Sequence, residues 1–98
     1  MTIKLSYGTP LGPGAYVYPT GERIQRLDAC EVFVDGAQFL GILSAVVVPG
    51  FTEEGVTVED RKQYIFNCDL PGVPQLIASA SRAAVLADLR YHAAKLRA

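Results

Sequence analysis

Residues 79–98 have the sequence SASRAAVLADLRYHAAKLRA, in which apolar side chains recur with the period of an α-helix. At about 100° per residue, one set of these side chains falls on a single stripe. The members of the stripe are Val85, Leu86, Leu89, Ala93 and Leu96. An amphipathic helix needs an apolar surface to cover, and the preceding chain supplies strands for one. The spacing therefore predicts one helix over 79–98 that packs on one face of a sheet.

Two further groups of side chains lie on the other sides of this predicted helix. The first is a flank of small residues with one tyrosine: Ala80, Ala83, Ala87, Tyr91 and Ala94. The second is polar: Ser81, Asp88, His92 and Lys95. A serine hydroxyl can accept hydrogen bonds from the free amides of a first helical turn, so we expect Ser79 or Ser81 to be the N-cap.

The remainder of the chain is predicted to form short strands and turns. The expected strands are 3–7, 15–18, 23–27, 31–34, 39–48, 56–58 and 63–68. Asp35-Gly36 favours a type I′ hairpin turn, whose positive φ angles match the twist of antiparallel strands. Segment 39–48 is apolar on both alternating faces, as in a central strand, and 74–77 is expected to lead into the helix. Glycines and prolines at 8–14 predict a turn.

Strands followed by one terminal helix predict an α+β fold. We expect a single domain over residues 1–98, built as an antiparallel sheet of four to five strands with the C-terminal amphipathic helix on one face. The composition agrees with a folded domain, because half of the 98 residues are apolar and a fifth are charged. A domain this small has a thin stability margin, which association with a second copy would supplement.

The charge is unevenly distributed. The whole chain carries −1, but residues 79–98 carry four basic side chains against one acidic, a net +3. Residues 1–78 carry five basic and nine acidic groups, a net −4. No global basic field therefore draws the protein to nucleic acid. The basic helix end suits the negative end of the helix dipole, and a polyanion-binding face is the alternative explanation.

The residues able to bind metal or act as nucleophiles are few. Cys30 and Cys68 are far apart and lack Cys-x-x-Cys spacing, and His92 is the single histidine. We expect both thiols to be free core side chains in a reducing cytoplasm. No catalytic residue, metal site or cofactor is predicted. The start of the chain lacks the apolar segment of a signal peptide, and 39–48 is too short to span a membrane.

Residues 64–73, YIFNCDLPGV, are followed by Ser79 and then by Arg82-Ala83-Ala84. This pattern resembles the HicB-type antitoxins, in which a strand ends in Asp-Leu-Pro-Gly and a capped helix follows. The resemblance covers residues 64–97. It implies a strand, turn and helix at this junction and, as one possible role, that of an antitoxin-type regulator.

The functional expectation is a non-enzymatic protein–protein interaction module that also forms a homo-oligomer. The contact residues expected on the helix are Ala87, Arg90, Tyr91 and Ala94, because small side chains allow a second surface to approach closely. The alternative is that a wide apolar arc of the helix packs on a broad sheet and that its alanines serve helix propensity. The acidic segment 53–60 is a second candidate contact.

Small binding domains of this kind are frequent among phage and mobile-element accessory proteins, which suggests a host component as the partner. One alternative is nucleic-acid binding, with bases stacked on Tyr7, Tyr16, Tyr18 or Tyr64. A small virion structural protein is the other alternative.

Overall fold

The computed structural model of the protein describes residues 4–36, 38–68 and 74–96. The elements along this part of the chain are β1 (Leu5–Tyr7), β2 (Gly14–Val17), β3 (Arg23–Val34), β4 (Gln38–Val48), β5 (Phe51–Glu53), β6 (Val56–Val58), β7 (Arg61–Cys68), β8 (Leu76–Ser79) and α1 (Arg82–Leu96). The predicted turn at 69–72 and the predicted last two helical residues lie outside the described ranges. So does residue 3, the expected start of the first strand.

The main sheet is antiparallel throughout and has the order β1–β3–β4–β7–β8. Strand β2 also pairs with β3, beside β1 on the same edge, so six of the described strands belong to this sheet. The predicted α+β fold is confirmed, and β4 is central as its two-sided apolar pattern indicates. The sheet has six strands rather than four or five, because the segment expected to lead into the helix contributes β8.

Strand β3 corrects the prediction of two separate strands at 23–27 and 31–34. Arg26 pairs with Val46 and Asp28 pairs with Ala45, so Leu27 has no partner on β4. This is a β-bulge, in which one extra residue is accommodated while the ladder continues. After the bulge, the side chains of β3 alternate between the two faces of the sheet in the opposite phase. A search for period-2 alternation therefore finds two short strands instead of one long strand.

The predicted Asp-Gly turn is present between β3 and β4. Asp35 has φ of 53° and Gly36 has φ of 74°. Positive φ at both positions is what a type I′ turn requires. The same feature recurs between β5 and β6, where Glu54 has φ of 49° and Gly55 has φ of 77°.

The helix begins later than the predicted residue 79. Ser79 belongs to β8, where it pairs with Tyr64 of β7. Ser81 is the N-cap, because its hydroxyl accepts a hydrogen bond from the Ala84 amide at 3.2 Å. The Ser79 hydroxyl in turn accepts from the Ser81 amide at 3.2 Å. Ser79 therefore pairs with β7 instead of extending the helix toward the N-terminus.

The predicted helix stripe is confirmed as part of the main core at four of its five positions, and the side chain of the fifth, Leu96, lies outside what the structure describes. Val85, Leu86, Leu89 and Ala93 are buried against the sheet. Their partners on the strands are Val32, Val34, Leu40, Leu43, Phe66, Cys68 and Ile77. A smaller cluster on the opposite face consists of Tyr16, Ile24, Val46 and Ile65.

The helix covers only part of the sheet. With 15 residues it is about 22 Å long, whereas the 12 residues of β3 extend over about 40 Å. Part of the helix-bearing face is therefore left open beyond the first turn of α1. In the described part of the chain, no helix has the length and apolar character needed to cross a membrane.

Candidate functional site

The predicted contact residues lie together on the outer side of α1. Ala87, Arg90, Tyr91 and Ala94 are all exposed and fall within an arc of about 100°. This arc lies beside the buried stripe and is exposed, so the four side chains are available to a second surface. The Tyr91 ring is 58% exposed and has the Lys95 ammonium 4.5 Å from its centroid. We call these four residues the outer helix face.

The predicted acidic loop contains a two-stranded hairpin. Within the described ranges, β5 and β6 pair only with each other. All of residues 51–57 are exposed, and Val58 is half-buried. We call residues 51–58 the hairpin arm. The small strand predicted at 56–58 is confirmed, and the arm adds its partner strand at 51–53, which the sequence analysis missed.

The hairpin arm is amphipathic. Phe51 pairs with Val58, and Glu53 pairs with Val56, so these four side chains share one face. The opposite face carries Thr52 and Thr57, whose hydroxyl oxygens are 3.3 Å apart. Phe51 is 54% exposed and Val56 is 63% exposed. One face of the arm is therefore apolar, apart from the Glu53 carboxylate, and it faces solvent.

Gly50 joins the arm to the main sheet. A Cβ atom at this position would collide with the Val58 carbonyl oxygen and with the backbone of Glu59 and Asp60. The Asp60 carboxylate accepts a hydrogen bond from the Gly50 amide at 2.6 Å. The two chain segments are thus held close together at the base of the arm, which fixes its direction.

A cavity of about 400 Å³ opens on the part of the helix-bearing face that α1 leaves uncovered. We call it the sheet cavity. Five chain segments contribute to it: the end of β1 with the following loop, the bulged part of β3, the middle of β4, the start of β7 and the first residue of α1. Its lining residues are Tyr7, Gly8, Pro10, Leu27, Asp28, Ala29, Cys30, Leu43, Ala45, Lys62, Tyr64 and Arg82.

Two cation–aromatic pairs stand at the sheet cavity. The Lys62 ammonium is 5.3 Å from the Tyr64 ring centroid, and the Arg82 guanidinium is 5.2 Å from the Tyr7 ring centroid. Neither cation forms an ion pair with a carboxylate of the described residues. Asp28 is the one carboxylate that lines the cavity. One of its oxygens accepts hydrogen bonds from the amides of Gly12 and Ala29.

The two cysteines differ in their surroundings. Cys30 is half-buried at the wall of the sheet cavity, whereas Cys68 lies in the main core, and neither forms a disulfide. Burial raises the pKa of the Cys30 thiol, while Arg82 opposes this shift and Asp28 adds to it. The prediction of a core position is therefore confirmed for Cys68 and only partly met by Cys30.

The sequence predicts neither catalytic nor metal-binding residues. Among residues 4–36, 38–68 and 74–96, no three His, Cys, Asp or Glu side chains are close enough to hold a metal ion. His92 lies on α1 with its ring 5.2 Å from that of Tyr91, and it does not line the sheet cavity.

The sheet cavity was not predicted, since its lining comes from segments up to 75 positions apart, from Tyr7 to Arg82. Lys62 and Arg82 are isolated basic residues in the sequence. Only strand pairing and the position of the helix bring them to one opening.

Comparisons with protein-family models, with curated proteins and with solved structures give no match to the chain. The resemblance of residues 64–97 to HicB-type antitoxins therefore stays a prediction.

Proposed function

We propose that the protein is a non-enzymatic protein–protein interaction module that docks through the hairpin arm. The observation that carries this proposal is the apolar face of the arm, where Phe51 and Val56 are exposed to solvent beside the half-buried Val58. A two-stranded hairpin standing alone is only marginally stable in water. A partner that covers the apolar face would both bind the arm and stabilise its structure.

Burying the apolar side chains of the arm would contribute enough binding free energy for recognition of a partner. Full burial of a Val or Phe side chain contributes about 1.5–3 kcal/mol. Phe51 and Val56, each more than half exposed, supply most of the surface still available. Aromatic residues are also enriched among the few side chains that dominate binding energy at interfaces. We therefore expect Phe51 to be the main contact of the arm.

The outer helix face is the second proposed contact. Ala87 and Ala94 allow close approach of another backbone, while Tyr91 and Arg90 are residue types that often dominate binding energy. Because these side chains are exposed, substitutions there should alter binding without disturbing the core.

The test is co-purification of partners from host lysate with three variants. Phe51→Thr removes the apolar anchor and places a β-branched residue, which suits a strand, at the same position. Thr57→Gln is the matched control, because it changes the opposite, polar face of the same arm. Ala87→Glu places a charge on the outer helix face. We expect Phe51→Thr to lose at least about tenfold of the bound protein and Thr57→Gln to retain it.

The outcomes separate the possible roles. If Phe51→Thr and Ala87→Glu both bind the same partners as the unmodified protein, the proposal is wrong. Salt-sensitive retention of DNA or RNA that depends on Arg90 would instead favour the nucleic-acid alternative. Co-purification with particles rather than with a host protein would favour the virion role.

A further inference from the structure

The hairpin arm and the sheet cavity are chemically complementary. The arm presents an aromatic ring and a carboxylate on one face, because Phe51 and Glu53 are two residues apart in the same strand. The cavity offers apolar side chains, among them Leu43 and Ala45, together with the cations Lys62 and Arg82.

The charges favour an acidic occupant of the cavity. Lys62 and Arg82 carry two positive charges that no described carboxylate pairs with, and Asp28 carries one negative charge already engaged by two backbone amides. The net charge of the lining is therefore +1. The arm carries Glu53 and Glu54 and no basic residue. Opposite potentials at two surfaces both steer association and fix its register.

We propose that the hairpin arm of one copy docks in the sheet cavity of a second copy and receives that copy's arm in its own cavity, forming a two-fold dimer. Phe51 rests on the apolar floor, and the Glu53 carboxylate meets Lys62 and Arg82. This inference rests on the proposed function, since it names the partner of the arm as a second copy of the chain.

The exchange is reciprocal because each copy carries both an arm and a cavity and a two-fold axis repeats every contact. The arm returns to the sheet at Arg61, and the adjoining Lys62 lines the cavity. Two copies related by a two-fold axis can therefore satisfy both contacts at once. A stable interface buries roughly 1,000 Å² or more, and three apolar side chains of one arm fall short of that. A reciprocal exchange doubles the area and closes the assembly.

The first measurement is the mass of the purified full chain by light scattering over a range of concentrations. We expect a dimer that dissociates on dilution. Either Glu53→Lys or Lys62→Glu alone should raise the dimer dissociation constant by about tenfold or more, because each reversal opposes like charges at both contacts. Asp88→Asn is the control, because it removes an exposed charge outside the arm, the cavity and the outer helix face, and it should leave the dimer intact.

The decisive measurement mixes the two charge-reversed variants, one of them isotope-labelled for native mass spectrometry. Each variant alone has two weakened contacts. In the mixed dimer one contact is native, and in the other the Glu53→Lys side chain meets the Lys62→Glu carboxylate while Arg82 still opposes it. We expect the mixture to form mixed dimers that bind more tightly than either variant binds to itself. Simple damage to folding cannot produce this recovery.

Three results would overturn the proposal. The first is a chain that stays monomeric at every concentration. The second is a dimer that Ala87→Glu abolishes while Glu53→Lys and Lys62→Glu leave it intact. The third is a measured mass above that of a dimer. A monomeric chain whose Phe51→Thr variant still loses partners from lysate would refute this inference alone and leave the proposed function standing. Retention of partners by Phe51→Thr would count against the arm as a docking element for other proteins.

Discussion

The phenol oxygen of Tyr16 lies 3.0 Å from the side-chain nitrogen of Asn67, which donates a hydrogen bond to it. Tyr16 belongs to β2 at the edge of the sheet, whereas Asn67 belongs to β7, two strands beyond β3. The tyrosine thus reaches across the outer face of the sheet and covers Ile24, Val46 and Ile65. This contact joins the edge strand β2 to β7 across the face that has no helix, where the smaller core lies.

Removing this hydrogen bond should destabilise the domain modestly. Tyr16→Phe keeps the ring in the outer cluster and leaves the Asn67 amide without its acceptor. We expect the free energy of unfolding to fall by about 1 kcal/mol in urea titrations. Tyr18→Phe is the control, since no hydrogen bond of its hydroxyl is seen among the described residues. Equal losses in both variants would contradict this account.

The N-cap of α1 can be tested at a single hydroxyl. Ser81→Ala removes the acceptor of the Ala84 amide and should cost about 1 kcal/mol of stability. Ser81→Asp retains an acceptor at the same place and should stay close to the unmodified protein. Thermal unfolding followed by circular dichroism would compare the two, and a destabilised aspartate variant would argue against capping.

Gly41 is required by close packing. A Cβ atom there would collide with the Asn67 carbonyl oxygen and would lie 2.9 Å from the Phe66 ring. Gly41→Ala should therefore disturb the pairing of β4 with β7 and destabilise the domain by about 2 kcal/mol or more. Gly36→Ala has open space around the new atom and only the strain of its positive φ, about 1 kcal/mol. Denaturant midpoints showing the reverse order would contradict this argument.

Leu89 should be among the most sensitive positions of the helix. Its side chain is fully buried in the main core, and Leu89→Ala should cost about 2–5 kcal/mol. Tyr91→Ala, two residues along on the outer helix face, should change stability by no more than about 0.5 kcal/mol. Chemical denaturation of the two variants would measure both changes in the free energy of unfolding. A comparable loss at Tyr91 would mean that the outer helix face is not free.

The reactivity of Cys30 should depend on pH and on its charged neighbours. Its pKa is raised by burial above the ordinary value of 9.0, so alkylation at pH 8 should be slower than for an exposed thiol. Asp28→Asn removes a charge that raises the pKa and should move the midpoint of the rate profile to lower pH. Arg82→Gln removes a charge that lowers the pKa and should move it to higher pH. Shifts in the same direction would refute these assignments. Cys68, buried in the core, should react only on unfolding.

Most of the local structure was predictable because its causes are local. The apolar period of the last segment identified the helix and its buried stripe, and Asp35-Gly36 identified a turn that needs positive φ at both positions. The sequence-based predictions were wrong where strand pairing overrides the local sequence pattern. The bulge at Leu27 made one strand resemble two, and pairing with β7 drew Ser79 into β8.

Of the two candidate sites, one was predictable from the sequence and the other was not. The outer helix face followed from the helical period, since burying one stripe leaves the arc beside it exposed. The sheet cavity did not follow, because Lys62 and Arg82 converge only when β7 and α1 take their places in the fold.

By itself, the sequence determined an α+β domain with one helix packed on an antiparallel sheet, because side-chain period and turn chemistry act over a few residues. The tertiary structure alone decided that Phe51 and Val56 stand uncovered on a separate hairpin and that Lys62 and Arg82 flank an open cavity. Exposure and proximity of distant residues depend on how the strands pair and where the helix ends, and neither property is encoded within any single segment.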